Sequence, residues 1–228
     1  MQTAATFTLK SPDSLSILYG VAKDIAGPTQ AAEIIREVGL KCISFNGIPS
    51  TINCLSAFYA SLPKDVTSRL STTPSRAPTP QSFDSISARG CKLWKSIYAP
   101  FDDKLFDKLA LVHPDLPVHI LNSHYGPLLS DPPVDAGRRS LASIGRVLTS
   151  AVAVASLRAQ PSVEPQLLSH IFGLRKAYED GTWRADEDAE ESVVRWLAGD
   201  EGNEWILKSV DRIVAGLGRN DFAEANME

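Results

Sequence analysis

Eleven uncharged residues in a row, Val147 to Leu157 (VLTSAVAVASL), bounded by Arg146 and Arg158, constrain this chain more than any other feature of its sequence. A bilayer-spanning helix needs roughly 20 apolar residues, so the run is too short to cross a membrane and reads as a central, buried helix. The same period recurs elsewhere. Apolar residues repeat at i, i+3 and i+4 between Pro and Gly breaks, and alternating strand patterns are scarce, so the expected fold is an all-α helical bundle. With 228 residues, 43% of them hydrophobic, the chain is long enough to bury a sizeable core.

The punctuation sets the expected order. Ser11-Pro12 opens a helix carrying Leu15, Leu18, Ala22 and Ile25, which Gly27 ends; Pro28 opens a second, with Ala31, Ile34, Ile35, Val38 and Cys42. Asn46-Gly47 breaks it, and a third starts at Pro49. Residues 71–81 (STTPSRAPTPQ) hold three prolines, which forbid regular helix hydrogen bonding, so they read as a surface linker. Beyond it, helices are expected at 83–98, 102–112, 117–129 and 137–159. A further helix runs from the Pro161/Pro165 region through His170 to Gly181, whose position suits a left-handed cap. Shorter helices follow at 187–198 and 203–216. The organisation is read as one domain over 1–228, with an N-terminal half-motif at 12–70, a C-terminal half at 82–218 and a frayed tail at 219–228. The two Pro-flanked halves are read as packing together, an internal duplication being one interpretation of them.

Charge and cysteine usage exclude several classes of function. Lys and Arg total 23 against 27 Asp and Glu, a net charge of -4, so there is no basic footprint for nucleic acid. Three cysteines do not make a secreted disulfide scaffold. The first residues, MQTAATFTLKSPDS, have no apolar core and only Lys10 as a basic group, so no targeting signal is expected. The expectation is a protein of the cytoplasm or another reducing compartment, without membrane or nucleic-acid partners. His113, His119 and His124 lie at spacings of six and five, which match neither a helical zinc pair nor a finger, so no metal is expected. Gly-rich phosphate loops are missing as well.

Two stretches resemble the alkylhydroperoxidase D (AhpD)-like superfamily, which includes carboxymuconolactone decarboxylases, and are closest in pattern to its fungal members. The first, Thr29 to Phe58, contains T-x-x-A-A-E-I-I-R-E-V and ends in F-N-G-I-P-S-T-I-N-C-L-S-A-F. The second, Arg146 to Gly181, holds an Arg, a long apolar helix, then S-H-I-F-G-L-R-K-A-Y-E-D-G. The resemblance implies an all-α bundle assembled as a homo-oligomer (dimer, trimer or hexamer). In peroxidase members it also implies a C-x-x-C-x-x-x-H motif, whose histidine matches His170. The two cysteine positions hold Val163 and Gln166 here, so the dithiol of the peroxidase reaction is absent.

Decarboxylase members work without a cofactor: the site stabilises an enolate as carbon dioxide leaves and then delivers a proton. On that reading His170 is the proton donor and Glu33 and Glu37, one turn apart, hold it or tune a neighbouring group. Arg138 or Arg139 binds a substrate carboxylate, Asn46 or Asn53 bonds a developing oxyanion, and His124 lines a cleft. Each has a structural alternative. His170 also fits a hydrogen-bonded core histidine, Glu33 and Glu37 ion pairs with Arg36 and Lys41, Asn46 a turn, Asn53 a buried amide bonded between helices, Arg138/Arg139 an interface salt bridge, and His124 a histidine at a helix C-terminus facing the dipole. Cys42 and Cys54 read as small core residues, and the four tryptophans as packing anchors. The expected function is a cofactor-independent acid-base enzyme, lyase or decarboxylase in type, acting on a small organic acid or lactone. The alternative is a non-catalytic oligomeric binding or scaffolding protein that keeps the bundle.

Overall fold

A computed structural model describes residues 1–133, 142–185 and 189–218. Among them there is helix and no strand, as the 3.6-residue period predicts. No described helix is long and apolar enough to cross a membrane. Arg138 and Arg139 and the tail 219–228 lie outside the described residues. The chain forms two compact units.

The first unit comprises Met1–Leu70, Val152–Leu167 and the described part of Glu204–Glu228. Helices Pro12–Ala26, Pro28–Lys41 and Ile48–Ser61 pack on one another, each with proline in its first turn, where the missing N–H is not needed. Gly27 (φ +83°) and Gly47 (φ +80°) separate them in a conformation that side chains with a Cβ avoid. The core is built from Phe7, Leu15, Ile35, Val38 and Phe58, and the Tyr19 and Phe58 rings meet edge to face at 5.9 Å. An unexpected helix, Gln2–Thr8, buries Ala4, Ala5 and Phe7. Its seven residues are too few for the i, i+3, i+4 pattern to repeat. Of the expected face, Leu15 is buried, Leu18 and Ala22 are half-buried and Ile25 is exposed, in a row with exposed Ile17 and Val21 at successive i+4 positions.

The second unit comprises Ser71–Ala151 and Leu168–Asn203. No helix forms before Phe83, in keeping with the proline-rich tract. Helix Phe83–Tyr98 packs against Ile120–Leu129, which continues from the short helix Asp115–His119 but has the wider i to i+5 turn. Their close approach depends on glycine: a Cβ on Gly90 would stand 2.7 Å from the Gly126 amide nitrogen, and one on Gly126 would stand 2.8 Å from the Ile86 carbonyl oxygen. The expected helix from residue 137 starts later. Residues 142–144 are not helical and the helix spans Gly145–Arg158. Asp131 explains the boundary, because its Oδ2 accepts the Ile144 and Gly145 amides at 3.0 and 2.6 Å and the Ser143 hydroxyl at 3.1 Å, where a cap residue would otherwise act. Similarly, the helix expected from 187 spans Glu191–Ala198, and residues 186–188 lie outside the described set. Helix Glu164–Glu179 ends as expected near Gly181, at φ +72°. Trp94 and Trp183 are buried, but Trp196 and Trp205 are about half exposed, so only two of the four serve as core anchors.

Candidate functional site

His170 is the residue around which the second unit gathers polar chemistry. It sits in the middle of helix Glu164–Glu179, 5% exposed. Its Nε2 lies 3.5 Å from the Tyr98 hydroxyl, at the outer limit of hydrogen bonding, and the Tyr98 hydroxyl is 2.9 Å from that of Tyr125. Trp94 packs beside both tyrosines, with ring centroids 4.2 Å from Tyr98 and 5.1 Å from Tyr125. Tyr98 and Trp94 are one turn apart on helix Phe83–Tyr98, and Tyr125 is brought in by the i to i+5 segment that Gly90 and Gly126 allow to approach. Tyr125 and His170 are buried and Tyr98 is half-buried.

Arg146, at the start of the apolar run, supplies a buried charge to the same unit. Its Nε donates to the Ser96 hydroxyl at 2.8 Å, and its Nη2 donates to the carbonyls of Ser96 (3.1 Å) and Gly173 (2.8 Å). Nη1 donates to the Ser150 hydroxyl. Partners of this kind are what a buried guanidinium requires.

Burial and this cation set the protonation states. Desolvation, and secondarily Arg146, lowers the His170 pKa to about 4. Burial pushes the Tyr98 hydroxyl up, with the Tyr125 hydrogen bond opposing. Tyr125 rises well above its ordinary value, chiefly through burial, with Arg146 working against that shift. At neutral pH the two phenols and the imidazole are therefore uncharged, and Tyr125 and His170 feel one fixed positive charge, Arg146.

The remaining expected site residues lie elsewhere. His124 is half-buried on the i to i+5 segment, and that wider turn brings its ring to 5.5 Å from His119 despite their spacing of five. Burial, then His119, lowers its pKa. Glu33, Glu37, Asn46 and Asn53 belong to the first unit. Glu33 is buried and pairs with Arg36 at 3.2 Å, and Glu37 is half-buried. Asn46 Oδ1 accepts from the Thr8 hydroxyl (3.0 Å) and from Gln160 Nε2 (3.3 Å), which ties the joint at Gly47 to two other segments. Asn53 is exposed, not a buried amide, because the inward stripe of its helix is Thr51, Cys54 and Phe58. Cys42 and Cys54 are buried core residues as expected; burial pushes the Cys42 thiol up to about 12, and Cys91 is exposed. A thiol so held is protonated and a poor nucleophile. No group of three or more metal-ligating side chains occurs among the described residues.

Tyr98, Tyr125 and Arg146 are the members that sequence reasoning missed as site residues. One signal was present for Arg146, a cation abutting the apolar run. In comparisons with protein families, curated proteins and solved structures, none matches this chain.

Proposed function

We propose that this chain is an AhpD-like, carboxymuconolactone decarboxylase-like protein, acting without a cofactor as an acid-base lyase on a small organic acid or lactone. The observation that carries the reading is the Tyr125–Tyr98–His170 chain beside buried Arg146. Arg146 and His170 are also residues of the second stretch that resembles the superfamily. As the carbon–carbon bond to the carboxylate breaks, its electron pair passes into an enolate, and carbon dioxide leaves. The Tyr98 hydroxyl then donates its proton to the carbon, and a solvent proton restores the phenol. The field of Arg146 favours the anionic intermediate. Only about one His170 in a thousand is protonated at pH 7 given its lowered pKa, so His170 acts as a positioning residue for Tyr98 and not as the acid itself.

The test is carbon dioxide release from a carboxymuconolactone by the full chain, run beside cumene hydroperoxide with a dithiol. Release in the first arm, without thiol-dependent peroxide loss in the second, supports the reading. No release refutes it, and peroxide consumption redirects it to the exposed Cys91.

A second reading, an oligomeric binding protein, is favoured by the exposed apolar row Ile17, Val21 and Ile25, with Ile52 and Tyr59 exposed on a helix packed beside it. A second copy of the chain would cover such a face. Light scattering of the wild type and Val21→Asp decides it: a single mass for both, equal to the monomer, removes this reading.

A further inference from the structure

His119 and His124, which the proposed reaction does not use, are arranged as a pair of metal ligands. Their spacing of five argues against a metal in an ordinary α-helix, where residues five apart point about 140° away from each other. The backbone removes that objection. His119 closes helix Asp115–His119, and His124 follows in the Ile120–Leu129 segment, where the wider i to i+5 turn brings residues five apart onto one face. Their ring centroids are 5.5 Å apart, with the planes crossing at 75°. Two imidazoles that share one tetrahedral metal ion, each through a nitrogen at about 2.0–2.1 Å, hold their centroids about 5 Å apart, so little side-chain adjustment is needed.

The surroundings suit coordination as well. His119 and Ser123 are exposed and His124 is half-buried, so a hydrated ion meets His119 at the surface. His119 Nδ1 lies 3.0 Å from the Ser123 hydroxyl, which assigns Nε2 as the ligating atom. With a metal on Nε2, Nδ1 carries the proton and donates to Ser123, the outer contact that fixes the tautomer and ring orientation of a ligating histidine. Burial, then His119, lowers the His124 pKa, so at neutral pH this imidazole is uncharged, as coordination requires. An imidazole has two nitrogens, and a metal on one leaves the other for a hydrogen bond within the fold. We propose that His119 and His124 chelate one late first-row divalent metal ion, such as Zn²⁺ or Ni²⁺, with water completing its coordination. Hard cations such as Mg²⁺ prefer oxygen ligands and do not fit this donor pair. Neither histidine belongs to the Tyr125–Tyr98–His170 chain, so binding here does not depend on the lyase reading.

Titration calorimetry of the full chain at pH 7 with Zn²⁺, and separately with Ni²⁺, in a non-chelating buffer tests the proposal, with Mg²⁺ as the control. One saturable site is expected for Zn²⁺ and Ni²⁺ and none for Mg²⁺. His119→Asn and His124→Asn should each weaken binding about tenfold or more, since even an outer-contact residue of a metal site is worth that much. Cys91→Ser, which removes the exposed thiol as a rival ligand, should bind as the wild type does. At pH 5 wild-type affinity should fall about tenfold or more, because protons compete for the rings. No saturable binding of either ion, Mg²⁺ binding as tight as Zn²⁺ binding, or unchanged affinity in both asparagine variants overturns the proposal. Wild-type affinity that stays the same from pH 7 to pH 5 also overturns it, and that arm requires no variant to fold.

Discussion

Lowering the pH from 7 to 5 is expected to cost the folded state about 2 kcal/mol through His170 alone. The imidazole is buried, and its pKa falls from the ordinary 6.5 to about 4. The unfolded chain therefore takes up a proton first as the pH drops. Stability from this group is complete above about pH 6.5 and is lost progressively down to about pH 4. Linkage over the window from 7 to 5 gives about 2 kcal/mol, and complete titration about 3 kcal/mol, from 1.36 kcal/mol per pKa unit. The window stops at pH 5 because carboxylates titrate below it. His124, lowered by burial and by His119, acts in the same direction. Urea unfolding at pH 7, 6 and 5, followed by circular dichroism and tryptophan fluorescence, measures the slope in the wild type and in His170→Gln. The variant should lose most of the pH dependence while keeping a polar partner for Tyr98. Equal loss of stability in both proteins would refute a buried, neutral His170.

Other predictions concern packing, charge and thiol access. Gly126→Ala should destabilise the second unit by about 1–3 kcal/mol in urea unfolding, because the new Cβ meets the Ile86 carbonyl 2.8 Å away and backbone cannot move aside as a side chain can. Arg146→Met should cost about 2–4 kcal/mol, since it leaves the buried Ser96 and Gly173 carbonyls without the guanidinium, and Arg146→Lys should restore only part of that, which the same unfolding experiment reads. Asp211→Asn should cost under about 1 kcal/mol, because the Arg158–Asp211 pair is nearly half exposed and solvent-screened. A thiol reagent should label Cys91 rapidly and reach Cys42 and Cys54 only in denaturant, as mass spectrometry of the labelled protein would show.

The all-α architecture was legible because the helical period and the Pro and Gly breaks agree along most of the chain. Gly27, Gly47 and Gly181 sit at positive φ where the pattern stops, and Pro12 and Pro28 open helices as their lack of an N–H predicts. Less legible was anything decided by distant partners. The late start at Gly145 depends on Asp131, fourteen residues earlier. The wider turn of Ile120–Leu129, which juxtaposes His119 and His124, has no signature in hydrophobic spacing, and its close packing on helix Phe83–Tyr98 needs Gly90 and Gly126. The same holds for the candidate site. His170 was singled out because it matches a family motif, but Tyr98 and Tyr125 are 72 and 45 positions away in sequence, and only packing makes them its neighbours. Asn53 was misjudged because an apolar helix was taken to be buried all round, whereas this one buries a single stripe.

The most direct test of the acid-base assignment compares carbon dioxide release from a carboxymuconolactone by the wild type and by Tyr98→Phe, with both shown to be equally folded. Losing a positioned proton donor should slow the reaction by about 10²–10⁴-fold, while unfolding stability falls by about 1–3 kcal/mol because the buried Tyr125 hydroxyl loses its partner. Equal rates in the two proteins, or no release by either, would contradict the account.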